Sequence, residues 1–131
     1  MTRRSIDLPG LGHGDLPIPS ACRVGPLLVS GGINGQDRAT GEIPDDLERQ
    51  VELIFDHVRA ILAEAGGTVE DIARCVFYVR DRSSRPLIDA QWVAMFPDPA
   101  SRPARHTLVY DLNGPLLVQC ELTAYIQEET R

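Results

Sequence analysis

The groups in this sequence best placed for chemistry are a guanidinium and a carboxylate near the C-terminal end. Arg105 follows a rigid Pro103-Ala104 and opens a run, residues 105–110, that reads as a β-strand. Side chains alternate along a strand, so Arg105, Thr107 and Val109 share one face, and on the last run Glu121 shares a face with Gln119 and Thr123. If the two runs fold back as a hairpin centred near Asn113, Arg105 stands opposite Glu121, whereas a slip of one residue puts them on opposite faces. Taken alone, such a pair is a cross-strand ion pair worth about a few tenths of a kcal/mol.

Other chemistries lack their residues. There is no glycine-rich phosphate loop, nucleophile elbow, H-E-x-x-H or zinc-deaminase pattern. His13, His57 and His106 show no metal-ligand spacing. Cys22, Cys75 and Cys120 are odd in number, far apart and free of any C-x-x-C pair, which argues against a disulfide framework or a redox dithiol and for buried, inert thiols. All 13 basic residues are arginine, so no lysine amine exists to form a Schiff base with a carbonyl substrate or pyridoxal phosphate. A formal charge of −6 disfavours nucleic acid as a partner. With no long apolar run and no apolar stretch behind Met1-Thr2-Arg3-Arg4, neither a membrane span nor a signal peptide is expected, and the cytoplasm is the default location.

The elements that must position Arg105 and Glu121 are legible in outline. Residues 9–20, rich in Gly and Pro, form a loop. Residues 21–30 hold two short apolar runs around Gly25-Pro26, a tight hairpin or two strands. Over 46–65, Leu47, Val51, Ile54, Val58, Ile61, Leu62 and Ala65 recur at spacings of three and four, which predicts one amphipathic helix of about five turns. His57 falls beside its apolar stripe. Asp45 with Glu48 resembles a capping box, and Gly66-Gly67 stops the helix. Thr68–Ile72 is a capped helical turn, 73–79 a strand, and Pro86 opens a second helix carrying Leu87, Ile88, Trp92, Met95 and Phe96. Strands at 105–110 and 116–126 follow, with an extra strand expected at Ile6–Leu8. The order β-β-α-β-α-β-β in one domain, 1–131, defines an α+β fold: a mixed sheet with two helices on one face. The last strand is apolar on one side (Val118, Cys120, Leu122, Ala124) and semi-polar on the other (Gln119, Glu121, Thr123, Tyr125), so the second sheet face is expected to meet another subunit.

Several segments, in order, carry a family resemblance. Pro103-Ala104-Arg105-x-x-x-Val109 resembles the signature of the RidA (YjgF, reactive intermediate deaminase) family. Arg23-Val24-Gly25 with Leu27-Leu28-Val29-Ser30-Gly31 resembles its first hairpin, and Thr40-Gly41-Glu42-Ile43-Pro44 the entry to its first helix. Ile61–Gly67 resembles that helix's end, and Val118–Ala124 its last strand. The likeness spans roughly residues 17 to 126.

The resemblance implies a homotrimer with a chorismate-mutase-like barrel and clefts between subunits that hydrolyse small 2-imino or 2-enamino carboxylates to 2-oxo acids and ammonia. It assigns Arg105 to the substrate carboxylate, which a guanidinium fork can grip at two points. It assigns Glu121 to positioning water; a carboxylate that stays ionised can orient and activate it. Ser30, Gly31 and Thr107 shape the cleft, and neither a metal nor an organic cofactor is implied. The sequence departs from the family's common form at Ile18, where deaminases often carry tyrosine, at Gly32, where glutamine is common, at Asp89, where asparagine is frequent, and at Thr107, where some members have cysteine. The loop 34–40 is slightly longer. These departures keep a second expectation open: a non-catalytic module that senses a small carboxylate. An RNA-acting role, attached historically to some relatives, is opposed by the charge.

Overall fold

The computed structural model describes residues 2–127. Seven strands form one sheet: β1 (Arg3–Ile6), β2 (Ala21–Val24), β3 (Leu27–Ser30), β4 (Ile33–Asn34), β5 (Ile72–Val79), β6 (Ala104–Val109) and β7 (Val118–Tyr125). Among the described residues there are also two α-helices, α1 (Leu47–Ala65) and α2 (Arg85–Met95), and two short 3-10 turns, Val69–Asp71 and Arg82–Ser84. The strand order is β1-β2-β3-β7-β5-β6, with the short β4 pairing to β7. All pairs are antiparallel except β5 with β6. A parallel pair needs a crossover, and α2 supplies it.

The helix stripe read from the sequence is the buried face of α1, where Val51, Ile54, Val58, Ile61, Leu62 and Ala65 are closed to solvent. Phe77 of β5 stacks on Phe55 of α1 at 5.7 Å and meets Trp92 of α2 edge-on at 6.4 Å, so both helices cover the same side of the sheet. That side carries the alternate residues Cys75, Phe77 and Val79 of β5 and Val118, Cys120, Leu122 and Ala124 of β7, all buried. Cys75 and Cys120 are therefore core residues, and burial pushes the Cys120 thiol well up, which makes it inert. Cys22, in β2, is only half-buried.

Three local expectations change. The N-terminal strand is Arg3–Ile6, not Ile6–Leu8. The α1 N-cap is Asp46, without a side-chain cap; the capping box lies instead at Thr68 and Asp71, on the short 3-10 turn before β5. The third change matters most. The last two strands do not form a hairpin, because β5 lies between them. The apolar, alternating β5 takes the central place with partners on both edges, and α2 delivers β6 to its outer edge. The connection from β6 to β7 must then cross the end of β5, and Arg80, the residue after β5, holds it there. Its Nε donates to Leu116 O at 2.6 Å, and its Nη2 to Leu112 O at 2.5 Å and Gly114 O at 2.8 Å.

Gln50, buried on α1, ties the helix to this connection and to the segment that enters the helix. Its Nε2 donates to Pro44 O (2.7 Å) and Pro115 O (3.1 Å), and its Oε1 accepts from Leu117 N (3.0 Å). The loop before α1 passes so close to the helix that a Cβ on Gly35 would sit 2.4 Å from Gln50 O, which only glycine avoids.

Candidate active site

Arg105 lies on β6, the margin of the sheet, beside Cys75, and therefore on the helix-covered face. Its Nη2 meets Asp89 Oδ1 of α2 at 2.5 Å, and its Cζ sits 5.0 Å from the centre of the Trp92 ring. Asp89 and Trp92 are three apart on α2, so one face of the helix presents both to the strand. The Arg105 side chain is 19% exposed. An ion pair and a cation–π contact together fix a long side chain that is otherwise costly to order. Thr107, paired with Phe77, is on the same face, half-buried.

Glu121 lies elsewhere. It pairs with Val76, and its side chain is on the face away from the helices. There Tyr78 Oη donates to Glu121 Oε1 at 3.0 Å, and Tyr110 packs edge-on against Tyr78 at 5.6 Å. The carboxylate beside its hydroxyl holds the Tyr78 phenol above its usual range. The expected cross-strand pair of Arg105 and Glu121 is therefore absent from the protomer: β5 separates the strands, and the side chains project from opposite faces.

Ser30 and Gly31 are on the other side of β7. Three strand spacings, about 14 Å, separate β3 from β6. Ser30 Oγ accepts from Leu122 N (2.9 Å) and donates to Gly31 O (2.8 Å), closing the gap where β3 ends and β4 begins. Gly31 N donates to Ser20 O at 3.0 Å. Ile18, 49% exposed, stands in the loop leading to Ser20. A Cβ on Gly32 would fall 2.7 Å from Gln119 Nε2, whose amide lies over the glycine and donates to Asn34 Oδ1 at 2.8 Å.

The candidate residues thus form two half-sites. One joins Arg105, Thr107 and Asp89 at the sheet margin; the other is Glu121 with Tyr78 on the uncovered face of β7. Ser30, at the end of β3, follows the alternation to the face of Leu28, opposite to Glu121, and Gly31 and Ile18 lie in the loops beside it. Tyr78 and Trp92 belong to these groupings and were not singled out from sequence. The period-2 alternation that puts Tyr78 beside Val76, and the three-residue step from Asp89 to Trp92, were the available signals. A cleft of about 470 Å³ opens beside the start of β6, lined by Ile72, Phe96, Arg102 and Ala104 among others, and neither Arg105 nor Glu121 is in its wall. Among the described residues no group of three or more His, Cys, Asp or Glu can hold a metal ion, and no helix is long and apolar enough to cross a membrane.

A mixed sheet with two helices on one face and an arginine held at its margin defines the class. The profile of the family described as Endoribonuclease L-PSP matches residues 18–126, and the chain belongs to this family, which includes the RidA/YjgF proteins. A RutC family protein from Aquifex aeolicus is 32% identical over 109 residues, 82% of this chain and 87% of that protein. The 2-iminobutanoate/2-iminopropanoate deaminase of Escherichia coli K12 is 30% identical over 90 residues, 68% of this chain and 70% of that protein. RidA from the Antarctic bacterium Psychrobacter sp. PAMC 21119 superposes with a TM-score of 0.85 at 26% identity, covering 94% of this chain and 99% of that one.

Proposed function

We propose that the protein is a cofactor-independent imine and enamine deaminase, converting small 2-imino or 2-enamino carboxylates to 2-oxo acids and ammonia. The observation that carries this reading is Arg105, held at the sheet margin by Asp89 and Trp92 with donors left for a ligand. The chemistry named for the Escherichia coli relative supports it.

The two half-sites are completed by a second copy. The sheet face away from the helices exposes Leu27, Val29, Leu108, Tyr110 and Tyr125 beside Glu121, an apolar surface that suits burial in a chorismate-mutase-like homotrimer. In the resulting cleft Arg105 of one copy grips the substrate carboxylate. Glu121 of its neighbour orients a water and takes its proton as the oxygen bonds to the C=N carbon. The nitrogen is protonated, the C–N bond of the carbinolamine breaks, and ammonia leaves as the C=O forms. Backbone groups at Ser30-Gly31 line the neighbour's side.

The test uses an amino-acid oxidase to generate 2-imino acids in the presence of semicarbazide. The wild-type protein lowers semicarbazone yield, and Arg105→Ala restores it while leaving the assembly intact. Stabilisation by 2-oxo acids without any imine turnover would replace this reading with that of a carboxylate-binding module.

A further inference from the structure

Two loops distant in the chain are fastened to each other, and one of them leans on Gly31. Gln36 Nε2 donates to Gly10 O at 2.5 Å, and Arg38 Nε donates to Pro9 O at 2.9 Å. The backbones meet there as well: a Cβ on Gly10, whose φ is +80°, would stand 2.2 Å from Arg38 O. Gln36 is in turn tied to α1, because its carbonyl accepts from the buried His57. The other end of the segment 9–20 is tied to the candidate site. Ser20 Oγ donates to Leu11 O at 3.3 Å, and Gly31 N donates to Ser20 O at 3.0 Å. The His13 ring comes within 3.9 Å of where a Cβ on Gly31 would be. Between these ties the segment has no helix or strand, and Leu16 and Ile18 stand 61% and 49% exposed. Its position is therefore set by its fastenings.

We infer that Gln36 and Arg38 are positioning residues for the cleft: they hold the segment 9–20 as a fixed wall against Gly31, and through it set how tightly the substrate's side chain is received. This rests on the deaminase reading above, which puts Gly31 in the cleft. Both side chains act through the segment and not on the substrate. Their hydrogen bonds are exposed to solvent, so each contributes modestly, and the loss of both is what frees the wall. A wall that meets the side chain and not the reacting carbon binds ground state and transition state alike, so its loss appears in KM and leaves kcat.

The experiment compares wild type with Gln36→Glu, Arg38→Ala, the double variant and Arg38→Lys. Gln36→Glu keeps the side-chain length and exchanges the donor for an acceptor, whereas Arg38→Lys retains a donor. Hydrogen exchange of the segment 9–20 and of the Gly31 amide is read beside KM and kcat for 2-iminopropanoate and the larger 2-imino-4-methylpentanoate, each generated by an amino-acid oxidase. In the double variant exchange should quicken about tenfold, and KM for the larger substrate should rise about five- to tenfold. Its kcat and the KM for 2-iminopropanoate should stay nearly unchanged, and Arg38→Lys should behave as wild type. Unchanged exchange overturns the inference whatever the kinetics, and so does faster exchange with KM unmoved. If wild type turns over no imine, the deaminase reading falls and calorimetry with 4-methyl-2-oxopentanoate decides: weaker binding to the double variant upholds the wall, and equal or absent binding overturns it.

Discussion

Arg105 and Glu121 project from opposite faces of one sheet, with β5 between their strands. Arg105 pairs with Cys75, while Glu121 pairs with Val76, whose other neighbour is His106. Any cleft that uses both must draw them from different copies. Arg105→Ala and Glu121→Gln should each be inactive alone. Mixed and reassembled, they should regain activity in about a quarter of the clefts, those that combine one intact half from each variant. Mixed assemblies that form without any recovery would mean that both residues serve the same copy or that one of them serves none.

Tyr78 reports on Glu121. Its phenol is held above the usual range by the hydrogen bond to the carboxylate, so an alkaline absorbance titration should show it ionising above the ordinary tyrosine range. Because the folded value is raised, the stabilisation is fully present below the ordinary tyrosine range and is lost as pH rises through the folded value. Glu121→Gln should bring the late phenol back toward the ordinary tyrosine range, and Tyr78→Phe should cost about 1 kcal/mol at neutral pH, given the partly exposed site. A late phenol that persists in Glu121→Gln would remove the coupling.

His57 sets an acid limb. Burial, the largest influence, lowers its pKa below 6.5, and its Nε2 donates to Gln36 O at 2.7 Å. The unfolded chain takes a proton more readily, so stability should fall as pH drops from the ordinary histidine value through the lowered folded one, then level off. Urea midpoints measured across that interval should lose this slope in His57→Gln. A variant with an unchanged slope would assign it to carboxylates instead.

Gln50→Leu should destabilise by about 2–4 kcal/mol, because it leaves Pro44 O, Pro115 O and Leu117 N without their buried partner. Chemical denaturation reads this directly. A change under about 0.5 kcal/mol would show that water replaces the amide without loss.

The periodic signals carried well from sequence to structure: the α1 stripe, the alternation of β7, Pro86 in the first turn of α2 and the left-handed Gly66 that ends α1. They carried because each depends on residues within one turn or one pleat. The order of strands did not. Residues 105–110 and 116–126 are adjacent and strand-like, which resembles a hairpin, and the competing claim of β5 rests on pairing across about forty residues that no local pattern encodes. The same distance hid the partner of Arg105. Asp89 was legible as a departure from the family's usual residue, but its contact with the guanidinium depends on how α2 crosses the sheet. Buried Gln50 was hidden for a different reason: polar residues beside an apolar stripe usually face solvent, and this one is kept inside by three backbone groups from distant segments.

The amide of Gln119 lying across Gly32 couples two positions far apart in the chain. A Cβ at position 32 would meet the far end of the Gln119 side chain at 2.7 Å, so Gln119 would have to turn aside and give up its hydrogen bond to Asn34 Oδ1. What a side chain at 32 costs therefore depends on what stands at 119, and either substitution tested singly gives an incomplete account of the pair.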